Sequence, residues 1–357
     1  YQEHLLQEGD FTGPFAAGVV LANPRVEVAV LEAARGGILR SGLGFDACDV
    51  GIVLNVTADH LGLRGIHTVD DLARVKGVIP SIVKPDGFAV LNADDPRVLA
   101  MRGATPGTVV LTSVVGEAGN PAVAEHLAAG GIAVLVEEEG GRETIVVRGG
   151  AGERVPVVAV DDVPLAMGGA ARFQLGNLLA AVAAGHLRGI AADALAEGLR
   201  TFIPSGSVTP GRMNVVRTAR GTVIVDYAHN PAAVRGLMDF VGRMEARRRI
   251  GVVTMPGDRR DEDLRELGEI TSVLDYVVVK EHDQYRRGRP AGDVARLIAE
   301  GLEAGGLRPE CHEAVLPEPE AVARALSLME PGDLVVILAD DSLDVLAQVQ
   351  GVMDGGG

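Results

Sequence analysis

Val223-Ile224-Val225-Asp226-Tyr227-Ala228-His229-Asn230-Pro231 reads as a short buried strand that ends in a polar cluster at the start of a helix. The same alternation continues downstream, with strand text at Ile250 to Val253, a helix from Asp261, and strand text at Tyr276 to Val279. A last strand at Leu334 to Leu338 and a short terminal helix complete it. Short apolar runs alternating with helices predict a doubly wound, Rossmann-like α/β unit over residues 205–357.

Working back toward the N-terminus, Val26 to Leu31 and Val50 to Leu54 read as buried strands, since both are apolar runs ending in polar or Gly-rich loops. A helical pattern runs from Val69 to Val83, with Asp70 and Asp71 where negative charge suits the helix dipole. Gly87 to Leu91 is a further strand, closing with Asn92-Ala93-Asp94-Asp95-Pro96. From about 108 to 163, short runs separated by Gly-rich turns predict a small antiparallel insertion. Helical text resumes at Asn177 and again from Ala191 to Arg200, and Phe202 to Ser207 reads as a linker. The expected division is a central parallel-sheet domain over 1–204 and a second domain over 205–357.

Composition agrees with close-packed α/β layers: 357 residues, 47 of them Gly, with 3% aromatic residues and no Trp. A formal charge of −16 argues against nucleic acid or an anionic membrane as the main partner, because either calls for a basic surface. Cys48 and Cys311 have no metal-like spacing, which fits a reduced cytoplasmic protein. No apolar run approaches the ~18 residues of a membrane span, and the start has no signal-peptide character. The first residue is Tyr, so an upstream segment is expected.

In open α/β sheets ligands bind at the C-terminal strand ends. Three of these, and one helix, carry chemistry here. Glu32 stands before Arg35-Gly36-Gly37, a carboxylate suited to a metal beside a close backbone approach, or to a capped turn. Asp59-His60 follows the second strand, where an imidazole can coordinate a cation or position a phosphate, or serve structure alone. Lys76 is one of only three lysines, with 84 and 280, among 33 basic residues, so an amine rather than any cation is favoured there. Asp226 and His229 stand at a helix start, a carboxylate for ribose hydroxyls and a ring for a base.

Asp226 to Pro231, Pro210-Gly211-Arg212, Asn92 to Pro96, Asp59-His60 and Lys76 occur in the order and approximate spacing of the Mur ligase superfamily. Glu32 to Gly42, Met255 to Asp263 and Arg287-Gly288-Arg289-Pro290 resemble its cyanophycin synthetase branch more than its peptidoglycan or folate branches. The resemblance covers nearly the whole chain. It implies a Mur ligase central domain, truncated at its N-terminus, and an ATP-dependent step joining L-arginine to the aspartate side chains of a poly-aspartate chain. By the same resemblance Glu32 and His60 would hold Mg²⁺, and Lys76, His60 and Arg35 would be catalytic. Lys76 matches a lysine that is carbamoylated in several branches. Asn177, Arg212, Asp226, His229 and Asn230 would hold ATP. Substrate contacts fall to Arg40, Asp258, Arg259, Glu281, Asp283 and Arg287, with the acidic ones pairing a guanidinium.

This chain departs from the pattern in one main respect. The family carries a G-x-x-G-K-T phosphate loop before Glu32, and none of the three lysines follows a glycine or precedes Ser or Thr. The chain alone is therefore expected to be inactive, since a single oxyanion-type donor is worth ~10²–10³ in rate. An ATP-grasp module, normally in the same chain, would add aspartate. His282 and Gln174-Leu175-Gly176 also depart from the pattern. A degenerate scaffold or polymer-binding module, and another Mur-type ligase for peptidoglycan or folylpolyglutamate, are the other readings, and a homo-oligomer is compatible with all of them.

Overall fold

The computed structural model describes residues 13–354 apart from 60 and 63. Its apolar runs form two sheets of six strands. The first comprises β1 (Cys48–Val53), β2 (Val83–Asn92), β3 (Thr108–Ser113), β4 (Ile132–Glu139), β5 (Arg142–Arg148) and β6 (Arg154–Ala159), in that spatial order. β1 to β4 are parallel, and only the β4–β5 and β5–β6 pairs are antiparallel, β5 alone running against the rest. The expected antiparallel insertion over 108–163 is thus corrected: β3 and β4 continue the parallel sheet. A crossover helix, Pro121–Ala128, lies between them, and Asn120 Oδ1 caps it by accepting from Ala122 N at 3.1 Å. The antiparallel hairpin begins only where Gly140 and Gly141, at φ +63° and +81°, form a two-residue turn.

A second correction concerns Val26 to Leu31, which is not a strand. Val28 and Val30 are 67% and 95% exposed, and among the described residues no strand pairs with this segment. An apolar run becomes a strand only where a neighbour completes its ladder. The helical pattern from Val69 also ends earlier than read. Thr68 and Asp71 form a capping box, the helix runs Val69–Lys76, a separate turn follows at Val78–Ser81, and β2 begins at Val83. The Arg172–Leu187 helix starts ahead of Asn177 and lays Leu175, Leu178, Leu179 and Val182 against Val90, Val110 and Val134 of the sheet.

The second sheet comprises β7 (Asn214–Thr218), β8 (Gly221–Asp226), β9 (Arg249–Val253), β10 (Tyr276–Val279), β11 (His312–Ala314) and β12 (Asp333–Leu338), in the order β11-β10-β9-β12-β8-β7. All pairs are parallel except β7 with β8. Strand side chains alternate between faces. Ile224, Val277 and Val336 meet the Pro231–Arg243, Asp261–Thr271 and Asp293–Ala304 helices, while Val223, Val225 and Val335 meet Glu318–Leu328 and Ser342–Asp354. This is the doubly wound arrangement predicted. Ala171, from the start of the Arg172–Leu187 helix, packs into this second core and so couples the two sheets.

Candidate active site between the two sheets

β8 ends at Asp226, and hydrogen bonds zip the Pro210–Met213 turn to that end. Asp226 Oδ2 accepts from Met213 N and Oδ1 from Ala228 N, both at 2.8 Å, and Tyr227 N donates to Gly211 O at 2.8 Å. Burial pushes the Asp226 carboxyl above its ordinary range, against the pull of the two amides, Arg212 and His229. The Arg212 guanidinium lies 5.7 Å from the Tyr227 ring centroid, and that ring stands 4.9 Å from His229. His229 Nδ1 is 3.0 Å from the Tyr227 carbonyl; an oxygen that only accepts fixes the proton on Nδ1. Asn230 is used locally, its Oδ1 accepting from Ala233 N at 2.9 Å as the cap of the Pro231–Arg243 helix.

The other sheet reaches this surface through Asp59, in the loop after β1. Asp59 Oδ2 is 3.8 Å from His229 Nε2, and Asp59 Oδ1 is 3.1 Å from Arg259 Nη2. The Arg259 side chain is 3% exposed and also pairs with Asp258 at 2.8 Å. Arg35 belongs to the same cluster. Burial lowers its pKa, Asp59 opposes that shift, and Arg259 and Arg64 reinforce it. Lys76 Nζ donates to Asn55 O at 2.8 Å. Burial drives its pKa down against the attraction of Asp59 and Asp95. Asp95 in turn accepts from Val56 N at 2.6 Å and caps the turn at Pro96–Leu99, which fixes the loop leading to Asp59.

The structure therefore gathers Arg35, Lys76, Asp258, Arg259, Arg212, Asp226 and His229 along one seam between the sheets. Asp59 is the residue the sequence reading passed over: it stood in the Asp59-His60 pair, but the imidazole drew the attention. His60 lies outside the described residues. Glu32 is exposed, on the segment before the Arg35–Ser41 helix. Arg40 is exposed on that helix, with Nε donating to Gly36 O at 3.0 Å. Asn177 is exposed and donates to Gln174 Oε1 at 2.9 Å.

Glu281, expected to pair a guanidinium, is engaged by backbone amides in this structure. Its side chain is buried, 4% exposed, and its two oxygens accept from Gly292 N at 2.9 Å and Ala295 N at 3.0 Å. It caps the Asp293–Ala304 helix from the end of β10, where amides and helix dipole both favour an anion. Asp283 is exposed and pairs with Arg286 at 3.0 Å. Arg287 lies 5.3 Å from the Tyr285 ring. Arg289 was quoted only within a motif, yet it binds Gly257 O, Arg259 O, Asp261 and Asp293 at 2.7–2.9 Å and so holds the Arg259 loop.

Among the described residues no group of three or more His, Cys, Asp or Glu side chains forms a metal cage. Glu32 offers a hard carboxylate oxygen of the kind Mg²⁺ takes, one or two of which join waters and phosphate oxygens in its shell. Among the described residues no helix is long and apolar enough to cross a membrane.

Residues 19–185 match the family described as Mur ligase middle domain, and residues 211–340 that described as Mur ligase, glutamate ligase domain. The cyanophycin synthetase of Crocosphaera subtropica is 45% identical over 339 residues, which is 95% of this chain and 38% of that protein. The UDP-N-acetylmuramoyl-L-alanyl-D-glutamate–2,6-diaminopimelate ligase of Geobacter metallireducens is 30% identical over 311 residues, 82% of this chain and 56% of its own. Among solved structures, MurF from Acinetobacter baumannii superposes with a TM-score of 0.59 at 18% identity, over 86% of this chain and 60% of that one. FolC of E. coli in complex with ADP gives 0.58 at 18% identity, over 86% and 62%. At such identities the likeness is one of fold.

Proposed function

The chain belongs to the Mur ligase family, and from that premise we propose that it is the arginine-adding, ATP-dependent amide-ligase portion of a cyanophycin synthetase. The chain spans 38% of the length of the Crocosphaera subtropica cyanophycin synthetase it matches. One observation carries the reading. Asp59 of the first sheet meets Arg259 and His229 of the second, beside Arg35 and Lys76, so cationic groups from two domains converge on one seam.

The chemistry needs such a seam. An aspartate side-chain carboxylate attacks the γ-phosphorus of ATP, and ADP departs. The α-amine of arginine then attacks the acyl carbon, and phosphate departs as the amide forms. Both steps concentrate negative charge, which Arg35, Arg259, Arg212 and Lys76 would neutralise. Mg²⁺, held by Glu32 with His60, would add charge neutralisation on the phosphate oxygens. Tyr227 and His229 present rings to a base, and each Asp226 oxygen keeps a free lone pair for a ribose hydroxyl.

The test is phosphate release by the full-length protein with ATP and an aspartate polymer, comparing L-arginine, L-glutamate and diaminopimelate. Stimulation by arginine alone is expected. Stimulation by either of the others would reassign the chain to a different Mur branch, and no release with any amine would favour the scaffold reading.

A further inference from the structure

Lys280 is fully buried at the C-terminal end of β10, on the side of the sheet where the seam lies. Its Nζ is 2.6 Å from Glu318 Oε1 and 2.7 Å from Asp340 Oδ2, and both carboxylates are themselves almost wholly buried. Glu318 Oε1 and Oε2 also accept from Asp340 N at 2.9 Å and Asp341 N at 3.2 Å. One ammonium thus locks the end of β10 and the start of the Glu318–Leu328 helix to the turn after β12. That turn touches the nucleotide-facing surface in two places. Ala339 N donates to Asp226 O at 2.8 Å. Ser342 stands so close to Gly211 that a Cβ there would fall 2.1 Å from its Oγ.

A buried ion triad is a poor way to stabilise a fold, since apolar residues of similar volume serve as well or better. What it does supply is a single defined geometry. Its partners are the backbone of the turn that backs Pro210-Gly211-Arg212. We propose that Lys280, acting through Glu318 and Asp340, is a positioning residue that fixes the Gly211–Arg212 turn for binding the phosphates of a nucleotide. This rests on the ligase reading of the same seam.

The experiment uses the full-length protein and Mg-ADP as probe, with affinity, thermal unfolding and the KM and kcat for ATP measured together. Two charge-balanced variants are compared: Lys280→Met with Glu318→Gln, and Lys280→Gln with Asp340→Asn. The second keeps hydrogen-bonding groups and is the fallback should the first not fold. Misplacing a binding group by about 1 Å can cost ~10²-fold, so a weakening of Mg-ADP binding by at least ~10-fold, with a matching rise in the KM for ATP and a smaller change in kcat, is expected in cooperatively folding protein. Unchanged Mg-ADP affinity and KM in a folded variant overturn the inference and leave the ligase reading intact. A native protein that binds no Mg-ADP overturns the ligase reading, and the inference with it.

Discussion

Asp59 Oδ1 lies 3.1 Å from Arg259 Nη2, the first residue belonging to the loop after β1 and the second to the loop after β9. No backbone hydrogen bond of either sheet requires this contact; it exists only because the two domains face each other. Asp59 also reaches toward His229 at 3.8 Å, so one carboxylate answers a guanidinium and an imidazole of the opposite domain.

Asp59→Asn is therefore expected to loosen the seam without unfolding either sheet. It leaves Arg259, almost fully buried, paired with Asp258 but with a neutral amide in place of the Asp59 carboxylate, and removes one charge that opposes the desolvation of Arg35 and Lys76. Small-angle scattering of the full-length protein should show a larger mean dimension than the native protein. Ligase turnover should fall by about 10²-fold, the scale of a misplaced reacting geometry. Equal scattering curves and equal turnover would show that the pair is incidental.

Glu281→Gln separates capping from amino-acid selection. The carboxylate takes two amides of the Asp293–Ala304 helix start, and the neutral amide loses the charge part of that interaction. A stability loss of about 1–2 kcal/mol in denaturant titration is expected, the size of a lost N-terminal cap. The preference for arginine over other amines should not change. A shift in amine preference at unaltered stability would return Glu281 to the substrate pocket.

The contrast with Glu281 shows what the residues alone could say. Tyr276 to Val279 was legible to the residue, because a four-residue apolar run bounded by Asp275 and Lys280 leaves no freedom. The helix start at Pro231 was equally plain. β7 and β11 were not read, since Asn-Val-Val-Arg-Thr and His-Glu-Ala carry too little apolar text to mark an edge strand. Val26 to Leu31 misled for the opposite reason: apolar text reports the wish for burial and says nothing of the neighbour that would supply it. For the site, the sequence marked the strand tips that meet. It could not say which acidic group there is spent on backbone amides, as Glu281 is, and which crosses to the other domain, as Asp59 does.

Lys76 gives a pH-dependent test. Its pKa is lowered by burial, so between that lowered value and the ordinary 10.5 the unfolded chain binds more protons than the folded one. Stability then rises with pH across that window, and Lys76 contributes a cost at neutral pH that fades as pH climbs. In denaturant titrations, Lys76→Met should narrow its stability difference from the native protein as pH rises toward 10.5. Lys76→Arg keeps a cation, but a planar guanidinium cannot take the place of the compact ammonium that donates to Asn55 O, so ligase turnover should fall by ~10², on the scale of a misplaced reacting geometry. A fully active arginine variant would show that only the charge matters.

Gly211→Ala tests the contact on which the nucleotide-facing turn rests. Gly211 sits at φ +70°, and an added Cβ would lie 2.1 Å from Ser342 Oγ and 2.8 Å from Ser342 Cβ. Two costs are then superposed: left-handed backbone strain of roughly 1–2 kcal/mol, and a collision that must push the Pro210–Arg212 turn away from the end of β12. Ser342→Gly removes both colliding atoms and leaves the strain. The single variant should lose stability and raise the KM for ATP, whereas Gly211→Ala with Ser342→Gly should recover most of the KM while remaining less stable than the native protein. If the pair behaves additively, with no recovery beyond the sum of the single effects, the turn is not braced by Ser342 and its geometry is set elsewhere.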